Sequence, residues 1–402
     1  MWFPPLDHSR TQFSRALENA NRKRIELEHW VKALDLLRLM VKKGASDLFL
    51  TANAPPSLKV DGQVLPVKTS HLTGDDTKRI TFSLMNEEQQ QAFIREKESN
   101  FAITPSGLGR FRVNVFQQQG EVGAVVRHIR SDIPTFDELN LPTAVLERLA
   151  LTRRGLIIFV GGTGTGKSST QAALVGYRNR HTRGHIVTIE DPIEFVHEHD
   201  RCIITQREVG VDTNSFRSAL ENAMRQAPDV IQIGEIRTPE TMQSAVVFSE
   251  TGHLCLATLH ANNTYQALER MINLYPDDSR RHLYMDLSMN LRAIISQRLI
   301  RRSSGEGFVP AVEIMLNSPL IGGRIGKGEI HEIREVIEKS TDEGMITFDQ
   351  SLFELFEKQL ITYEDAIRNA DSENNLRLRI KLEGKSAHEK QSKGDTLDGV
   401  EF

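Results

Sequence analysis

The chain has 402 residues, of which 39% are hydrophobic and 26% charged, and its formal net charge is −4. Counting the 27 glycines as well brings the apolar share to about 46%, the usual level of globular proteins, and the length fits two or three domains. The charge balance argues against a strongly basic nucleic-acid binder and against an acidic disordered chain. Cys202 and Cys255 are the two cysteines, too few for a zinc module or a disulfide framework, and they favour the reducing cytoplasm.

The start of the chain carries no sign of a secretion signal, because Asp7 and Arg10 interrupt it before an apolar stretch can form. Nowhere is there a run of about 18 apolar residues, so the sequence predicts no direct membrane span. Residues 1–24 are polar and irregular and are expected to form a loose leader. Any membrane association would then come through a partner.

A small α+β domain is expected over residues 25–130. Apolar residues recur at helical spacing from Ile25 to about Lys43, and Asp61-Gly62 between two short apolar runs predicts a hairpin. The other elements expected here are helices near 74–85 and 87–97 and strands near 47–51, 98–103, 109–117 and 122–129.

Four arginines lie on neighbouring predicted strands of this domain: Arg110, Arg112, Arg127 and Arg130. Residues two apart on a strand share a face, so this face would carry positive charge. Such a surface suits an anion, and in a ring of subunits it could meet a neighbour's triphosphate. A solvated strand face is an equally open interpretation.

A second, α/β domain is expected over residues 143–382, after a linker at 131–142 that contains two prolines. Gly155–Val160 is continuously apolar, as in a strand buried on both faces of a parallel sheet. Similar runs follow, separated by helical stretches, and the chain is expected to be mainly helical from about 280. Residues 383–402 are polar and predict a disordered tail. The similar runs are His185–Ile189, Val230–Ile233 and His253–Thr258.

Residues 161–168 read GGTGTGKS and match the phosphate-loop pattern G-x-x-x-x-G-K-[ST]. The match lies between a predicted strand and a predicted helix, as this pattern requires. Backbone N–H groups of such a loop surround a phosphate, Lys167 would reach the β- and γ-phosphates, and the Ser168 hydroxyl would bind Mg²⁺. The predicted ATP-binding residues are Gly161, Gly162, Thr163, Gly164, Thr165, Gly166, Lys167, Ser168 and Ser169.

Two acidic residues lie at the carboxyl ends of buried-strand patterns: Glu190 directly after Ile189, and Glu235 after Ile233 and Gly234. Open α/β sheets bind ligands at the carboxyl ends of their strands, where carboxylates can hold Mg²⁺ and orient a water molecule. Asp191 and Glu194 lie in the same stretch as Glu190, and for them a solvated loop position is an equal alternative.

Two histidines, His253 and His260, bracket the apolar run after Glu235. An imidazole there could contact the γ-phosphate or a catalytic carboxylate. A core or loop role is the alternative, and the spacing gives little support to a metal site, since no third ligand is in register.

Several segments together resemble the secretion ATPases of type II/IV secretion and type IV pili, most closely their pilus retraction branch, the PilT/PilU proteins, and within it PilU. The likeness covers roughly residues 33–382. The segments that carry it are GGTGTGKSS, TIEDPIEFVHEH, RQAPDVIQIGEIR and TGHLCLATLHANN, with ASDLFLTANAPPSLKVDGQVLPV before them and TFDQSLFELFEKQLITYEDAIRNADSENNLRLRIKL after them.

This resemblance implies a PAS-like N-terminal domain, a RecA-like P-loop ATPase domain and a helical C-terminal region. It also implies a cytoplasmic homohexamer, peripheral at the inner membrane, that hydrolyses ATP with Mg²⁺ and retracts pili through a platform protein, producing twitching motility. By position, the resemblance makes Glu190 the acid that polarises water and Glu235 the Walker B acid at the metal. The other residues it implicates are His253 and His260, and Arg112 and Arg127 acting on a neighbouring subunit's ATP.

Three positions depart from the family pattern. Gln232 places an amide in the Walker B strand, and Thr238 follows Arg237 where an acid is usual. Leu320–Lys327 reads LIGGRIGK where PilT-type proteins carry an AIRNL-like stretch. This last departure favours an accessory subunit that binds ATP, turns over weakly and docks on a PilT-like ring.

Two further alternatives are weaker. A pilus-assembly or type II secretion ATPase would commonly carry a four-cysteine zinc module, which two isolated cysteines cannot form. A nucleic-acid motor on the same fold would need a segment of interleaved aromatic and basic residues, and the chain has none.

Overall fold

The computed structural model describes residues 32–384. The chain divides into two compact units between Ser131 and Asp132. The predicted leader, the first residues of the predicted first helix and nearly all of the predicted tail lie outside the described residues. No helix within 32–384 combines the length and the apolar character that a membrane span requires.

The first unit, over residues 32–131, is a six-stranded antiparallel sheet packed against three helices. The predicted elements are confirmed to within a few residues. In chain order they are α1 (32–42), β1 (Asp47–Leu50), β2 (Ser57–Val60), β3 (Gln63–Pro66), α2 (Gly74–Ser83), α3 (Glu87–Glu96), β4 (Glu98–Ile103), β5 (Phe111–Gln118) and β6 (Glu121–His128). The strands lie in the order β3-β2-β1-β6-β5-β4.

The β2–β3 hairpin turns through Asp61 and Gly62, as their sequence predicts. Their φ angles are +49° and +80°, so both residues are left-handed. Two consecutive left-handed residues form the tight turn that matches the twist of a hairpin, and Asp-Gly adopts it at low cost.

Strand β5 alternates between a buried face and a more exposed one. Phe111, Val113 and Val115 are fully buried in the core of the unit, whereas Arg112 is half-buried and Asn114 is exposed. A two-residue period places the arginine on the face opposite to the core.

The second unit, over the described residues 132–384, is a seven-stranded sheet with helices on both faces. Its strands are β7 (Gly155–Val160), β8 (Gly184–Glu190), β9 (Cys202–Glu208), β10 (Val230–Ile233), β11 (Leu254–Leu259), β12 (Leu291–Arg301) and β13 (Phe308–Leu316). They lie in the order β13-β12-β7-β11-β10-β8-β9, and all neighbours are parallel except β12 and β13.

Up to residue 290, helices separate most of the strands of this unit. They are α4 (Thr143–Ala150), α5 (Lys167–His181), α6 (Phe216–Ala223), α7 (Pro239–Glu250), α8 (Thr264–Asn273) and α9 (Arg280–Asn290). However, β9 follows β8 directly, and α9 follows α8. After β12 and β13 a helical region follows with α10 (Pro319–Lys327), α11 (Ile333–Lys339), α12 (Phe348–Glu357), α13 (Tyr363–Arg368) and α14 (Glu373–Glu383).

Both faces of the sheet are buried, which explains the uninterrupted apolar sequence of β7. Leu156 and Ile158 pack on the face that also holds α7 and α9, whereas Ile157 and Phe159 pack on the face that holds α4 and α5. All four side chains are fully buried. A strand covered on both sides needs an apolar residue at every position.

Residues 291–316 correct the expectation of a mainly helical chain from about 280. They form β12, parallel to β7, and β13, antiparallel to β12. Ile294, Ile295 and Val309 are fully buried there, and branched side chains of this kind pack well on a pleated surface. The predicted helical C-terminal region is confirmed from Pro319 onward.

The segment predicted as a linker, 131–142, begins at the boundary between the units but does not run free of the second. Phe136 and Leu141 are buried in the core of the second unit, on the α4–α5 side of the sheet. Ile133 lies against Gly176 of α5, where an added Cβ would be 2.8 Å from its side chain.

Candidate active site

A cavity of about 610 Å³ opens where the carboxyl ends of β7, β11, β10 and β8 meet. These four strands are adjacent and parallel, so the loops that follow them lie together at one edge of the sheet. The structure brings most of the predicted site residues to this cavity. Among those lining it are Lys167, Ser168, Ser169, Glu190, Glu235 and His260.

The phosphate loop depends on glycines that no other residue could replace without strain. Gly161, Gly164 and Gly166 have φ angles of +152°, +77° and +93°. A Cβ on Gly161 would lie 2.3 Å from the Thr165 hydroxyl oxygen and 2.8 Å from a backbone oxygen of Gln297. The loop then enters α5, whose N-terminus favours an anion.

Lys167 places its ammonium inside this loop. Its Nζ donates to the backbone oxygens of Gly161, at 2.9 Å, and Gly162, at 2.7 Å. Burial lowers the pKa of Lys167, and the nearby Glu235 and Glu194 act in the opposite direction. The site therefore holds a buried cation among glycines, which suits a phosphate group.

Glu190 ends β8 and is held by two neutral donors. The Thr188 hydroxyl donates to Oε1 at 2.6 Å, and the Gln206 amide donates to the same oxygen at 3.2 Å. Burial raises the pKa of Glu190 to about 7, the Thr188 and Gln206 hydrogen bonds lower it, and the neighbouring Glu194 and Glu208 raise it. A carboxylate with a pKa near 7 suits a general base at physiological pH.

Glu235 follows β10 and has a guanidinium and an imidazole as neighbours instead. Arg237 donates from Nε to Oε2 of Glu235 at 2.7 Å, and Nε2 of His260 lies 3.3 Å from Oε1. The Glu235 side chain is only 16% exposed. An adjacent guanidinium stabilises the negative charge that a cation ligand requires.

The two predicted histidines lie at opposite ends of β11. His260 follows the strand and contacts Glu235, whereas His253 precedes it and does not line the cavity. Nδ1 of His253 lies 3.1 Å from both the Phe248 backbone oxygen and the Thr251 hydroxyl. In this chain His253 therefore stabilises the turn between α7 and β11, and the structure does not bring it to the predicted site.

Arg112 and Arg127 are directly opposite each other on β5 and β6 of the first unit. Nε of Arg127 donates to Oδ1 of the buried Asp47 at 2.7 Å. Two cations side by side repel each other, and Asp47 offsets this for Arg127. Arg112 makes no ion pair within residues 32–384.

Three polar residues that surround Glu190 and the cavity floor were not predicted from the sequence: Thr188, Gln206 and Gln171. For Thr188 the available signal was a polar residue between Val187 and Ile189, two positions before the end of an apolar strand. Gln206 stands in the polar second half of β9 and gave no such signal. Gln171 of α5 is buried and lines the cavity beside Gln232, the amide noted in the Walker B strand.

These two buried glutamines help to test whether the site fits a magnesium nucleotide. Gln171 Nε2 and Gln232 Oε1 have no hydrogen-bond partner within the part of the chain that the structure describes. Buried polar atoms of this kind are costly unless a polar ligand or water meets them. Together with the glycine cradle, Lys167, the Ser168 hydroxyl and Glu235, they give a donor set that fits the phosphates of ATP and a hard cation.

Comparisons with known proteins agree with this geometry. Residues 31–345 match the family described as Type II/IV secretion system protein. The chain is 55% identical over 351 residues to the type IV pilus ATPase PilU of Pseudomonas aeruginosa, covering 87% of this chain and 92% of that protein. It is 39% identical over 342 residues to the type IV pilus retraction ATPase PilT of the same organism, covering 85% and 99%.

A solved structure shows a similar fold along most of the chain. The structure of the pilus retraction motor PilT with bound ADP has a TM-score of 0.80 and 38% sequence identity. The match covers 86% of this chain and 98% of that one.

Proposed function

Because the chain belongs to the type II/IV secretion system protein family and is an ATPase of that class, we propose that it is a Mg²⁺-dependent motor of type IV pilus retraction that works as a homohexamer. The observation that carries the proposal is the meeting of Lys167, Glu190 and Glu235 at the carboxyl ends of three parallel strands. The names of the similar proteins support the link to pili.

ATP would bind with its phosphates in the loop of residues 161–168. Lys167 would exchange its bonds to the loop carbonyls for contacts with the phosphate oxygens. Ser168 and Glu235 would hold Mg²⁺, which when bound neutralises charge on the phosphates. Arg237 and His260 keep the Glu235 carboxylate in place through their contacts with its two oxygens.

Glu190 would accept a proton from the attacking water. As the water oxygen forms its bond to the γ-phosphorus, the bond from that phosphorus to the bridging oxygen of ADP breaks, and the proton passes to the Glu190 carboxylate. Lys167 stabilises the negative charge that builds up on the transferred group. The products are ADP and inorganic phosphate.

A ring of subunits would give the arginines of the first unit a role in the site of a neighbour. Arg127 is tied to Asp47, so Arg112 beside it is the side chain better placed to contact a phosphate. An arginine supplied from another subunit stabilises transition-state charge strongly in related phosphoryl transfers. Motion between the units would pivot at Ser131–Asp132, because Ile133, Phe136 and Leu141 already pack into the second unit.

Force would be delivered to the pilus through an inner-membrane platform protein, with the ring lying peripherally on the cytoplasmic side.

A second candidate function is an ATP-binding accessory subunit that docks on a PilT-like ring. One observation favours it: the divergent segment Leu320–Lys327 forms α10, and its Leu320 is exposed, as are Met285 and Met289 on the packed helix α9. Exposed apolar residues of this kind mark interaction surfaces.

The first experiment measures ATP hydrolysis by the purified full chain over a range of protein concentrations, together with its sedimentation. We expect specific activity to rise cooperatively as hexamers form. Lys167→Ala should abolish both nucleotide binding and hydrolysis, whereas Glu190→Gln should abolish hydrolysis alone.

Intact ATP binding with negligible hydrolysis at every concentration would reject the independent motor. Activity that then appears on addition of a PilT-like hexamer, with co-sedimentation of the two proteins, would establish the accessory function instead.

A further inference from the structure

Three neighbouring strands carry a polar residue at the same level of the sheet. Thr188 of β8 is paired in register with Gln206 of β9 on one side and with Gln232 of β10 on the other. Residues paired in register point to the same face of a sheet. The row lies two positions before Glu190, so its side chains lie on the same face as that of Glu190.

Two members of the row hold one oxygen of Glu190. The Thr188 hydroxyl and the Gln206 amide both donate to Oε1, at 2.6 Å and 3.2 Å. No hydrogen bond reaches Oε2 from any residue between 32 and 384. The carboxylate is thereby fixed with one oxygen occupied and the other available.

Gln206 is itself fixed at both ends of its amide. Its Nε2 also donates to the Phe195 backbone oxygen at 2.9 Å, and its Oε1 accepts from the His197 backbone N–H at 2.8 Å. These partners lie in the loop that follows Glu190. These two hydrogen bonds determine that the Nε2 end of the Gln206 amide faces Glu190. Through Gln206 they also link the Glu190 carboxylate to the loop that follows it.

We propose that Thr188 and Gln206 are positioning residues for ATP hydrolysis: they hold Oε1 of Glu190 so that Oε2 receives the proton of the attacking water. This inference rests on the proposed ATPase role of Glu190. Hydrogen bonds to a charged carboxylate are about twice as strong as neutral ones, so two of them on one oxygen define its orientation. Loss of either donor should slow hydrolysis with little effect on ATP binding.

The surrounding charges do not supply this orientation. Glu194 and Glu208 lie near Glu190 and repel its negative charge. Lys167 donates to the phosphate loop, and Arg237 donates to Glu235. In the described residues, only the two neutral donors make a hydrogen bond to the Glu190 carboxylate.

The test uses Thr188→Val, which keeps the side-chain shape and removes the donor, and Gln206→Met. We expect kcat to fall about tenfold in each, with the ATP dissociation constant within twofold of the wild type. Thr188→Ser restores the hydroxyl and should restore kcat to within twofold. Thr205→Val is the matched control. Thr205 directly precedes Gln206 on β9, and its hydroxyl lies 2.9 Å from Nε2 of His185 and makes no hydrogen bond to Glu190.

A second measurement does not depend on turnover: the affinity for ADP with aluminium fluoride, which mimics the transferred phosphate together with the attacking water. Thr188→Val should weaken it about tenfold and leave the affinity for ATP unchanged. The proposal would be overturned if Thr188→Val lost as much affinity for ATP as for the mimic, or if Thr205→Val lost as much affinity for the mimic as Thr188→Val. Either result would indicate a purely structural role. If the wild-type chain bound the mimic but did not hydrolyse ATP, the motor function would be rejected. The affinities of the variants for the mimic would still test the positioning role.

Discussion

Glu190 and Glu235 lie at the carboxyl ends of two neighbouring parallel strands, Glu190 as the last residue of β8 and Glu235 two residues beyond β10, but their surroundings differ. Glu190 meets neutral donors, and burial raises its pKa to about 7. Glu235 meets a guanidinium and an imidazole. In the proposed function the strand ends bring both acids to the ligand, and their different neighbours suit Glu190 to exchange a proton and Glu235 to hold a cation.

Glu190→Gln tests the proton-accepting side of this contrast and has the largest expected effect. Glutamine keeps the shape but cannot accept a proton, so hydrolysis should fall about 10²–10⁴-fold. ATP affinity should stay within about twofold, because Lys167 and the loop glycines bind the phosphates. Single-turnover hydrolysis and equilibrium ATP binding measure the two effects.

The control for this variant is Glu194→Gln, which removes a second carboxylate from the same cavity. It should retain most of the activity. If Glu190→Gln lost ATP binding, or if Glu194→Gln were equally inactive, the assignment of the base to Glu190 would be wrong.

Glu235→Gln tests the cation-binding side. We expect hydrolysis to fall about 10- to 100-fold at limiting Mg²⁺ and to recover partly as Mg²⁺ is raised, because the neutral amide is a weaker ligand. Titration of the rate with Mg²⁺ measures this shift. Glu190→Gln is the control, since excess Mg²⁺ should not rescue it, and rescue of both variants or of neither would remove the distinction between the two acids.

The pH dependence of kcat separates the acids in a third way. Glu190 could accept a proton only when ionised, and burial raises its pKa to about 7. Activity should therefore be full at high pH and fall as the pH drops through 7, by about tenfold between pH 8 and pH 6. A Glu235→Gln variant with saturating Mg²⁺ should keep the same midpoint, and a wild-type profile flat across this interval would contradict Glu190 as the base.

Much of the fold could be predicted because local patterns dictate it. Asp61-Gly62 specifies a hairpin turn by itself, and the alternation around Phe111 specifies a half-buried strand. Strand β12 was missed because Ser296 and Gln297 interrupt its apolar residues, although both are buried in the sheet. Its place beside β7 is a pairing between distant segments, which no local pattern contains.

The candidate site divides in the same way. The phosphate loop and the two acids follow from motifs at the ends of predicted strands. The donors to Glu190 do not, since Gln206 reaches Glu190 only because β9 pairs with β8 in one particular register. The polar residues can be read from the sequence, whereas the register between strands determines which of them contact one another.

The histidines that bracket β11 give the smallest expected effects, and they test whether strand direction decides function. His260→Ala should lower kcat about fivefold, because it removes a contact to Glu235. His253→Ala should leave kcat within about twofold, because an extended strand as long as β11 measures about 20 Å and His253 lies at its far end. Its hydrogen bonds to Phe248 and Thr251 predict a small loss of thermal stability instead.

Steady-state kinetics and thermal unfolding of the two variants measure both effects. If His253→Ala lowered kcat as much as His260→Ala without loss of stability, proximity to Glu235 within one chain would not explain catalysis, and His253 would have to act at a site that another subunit completes.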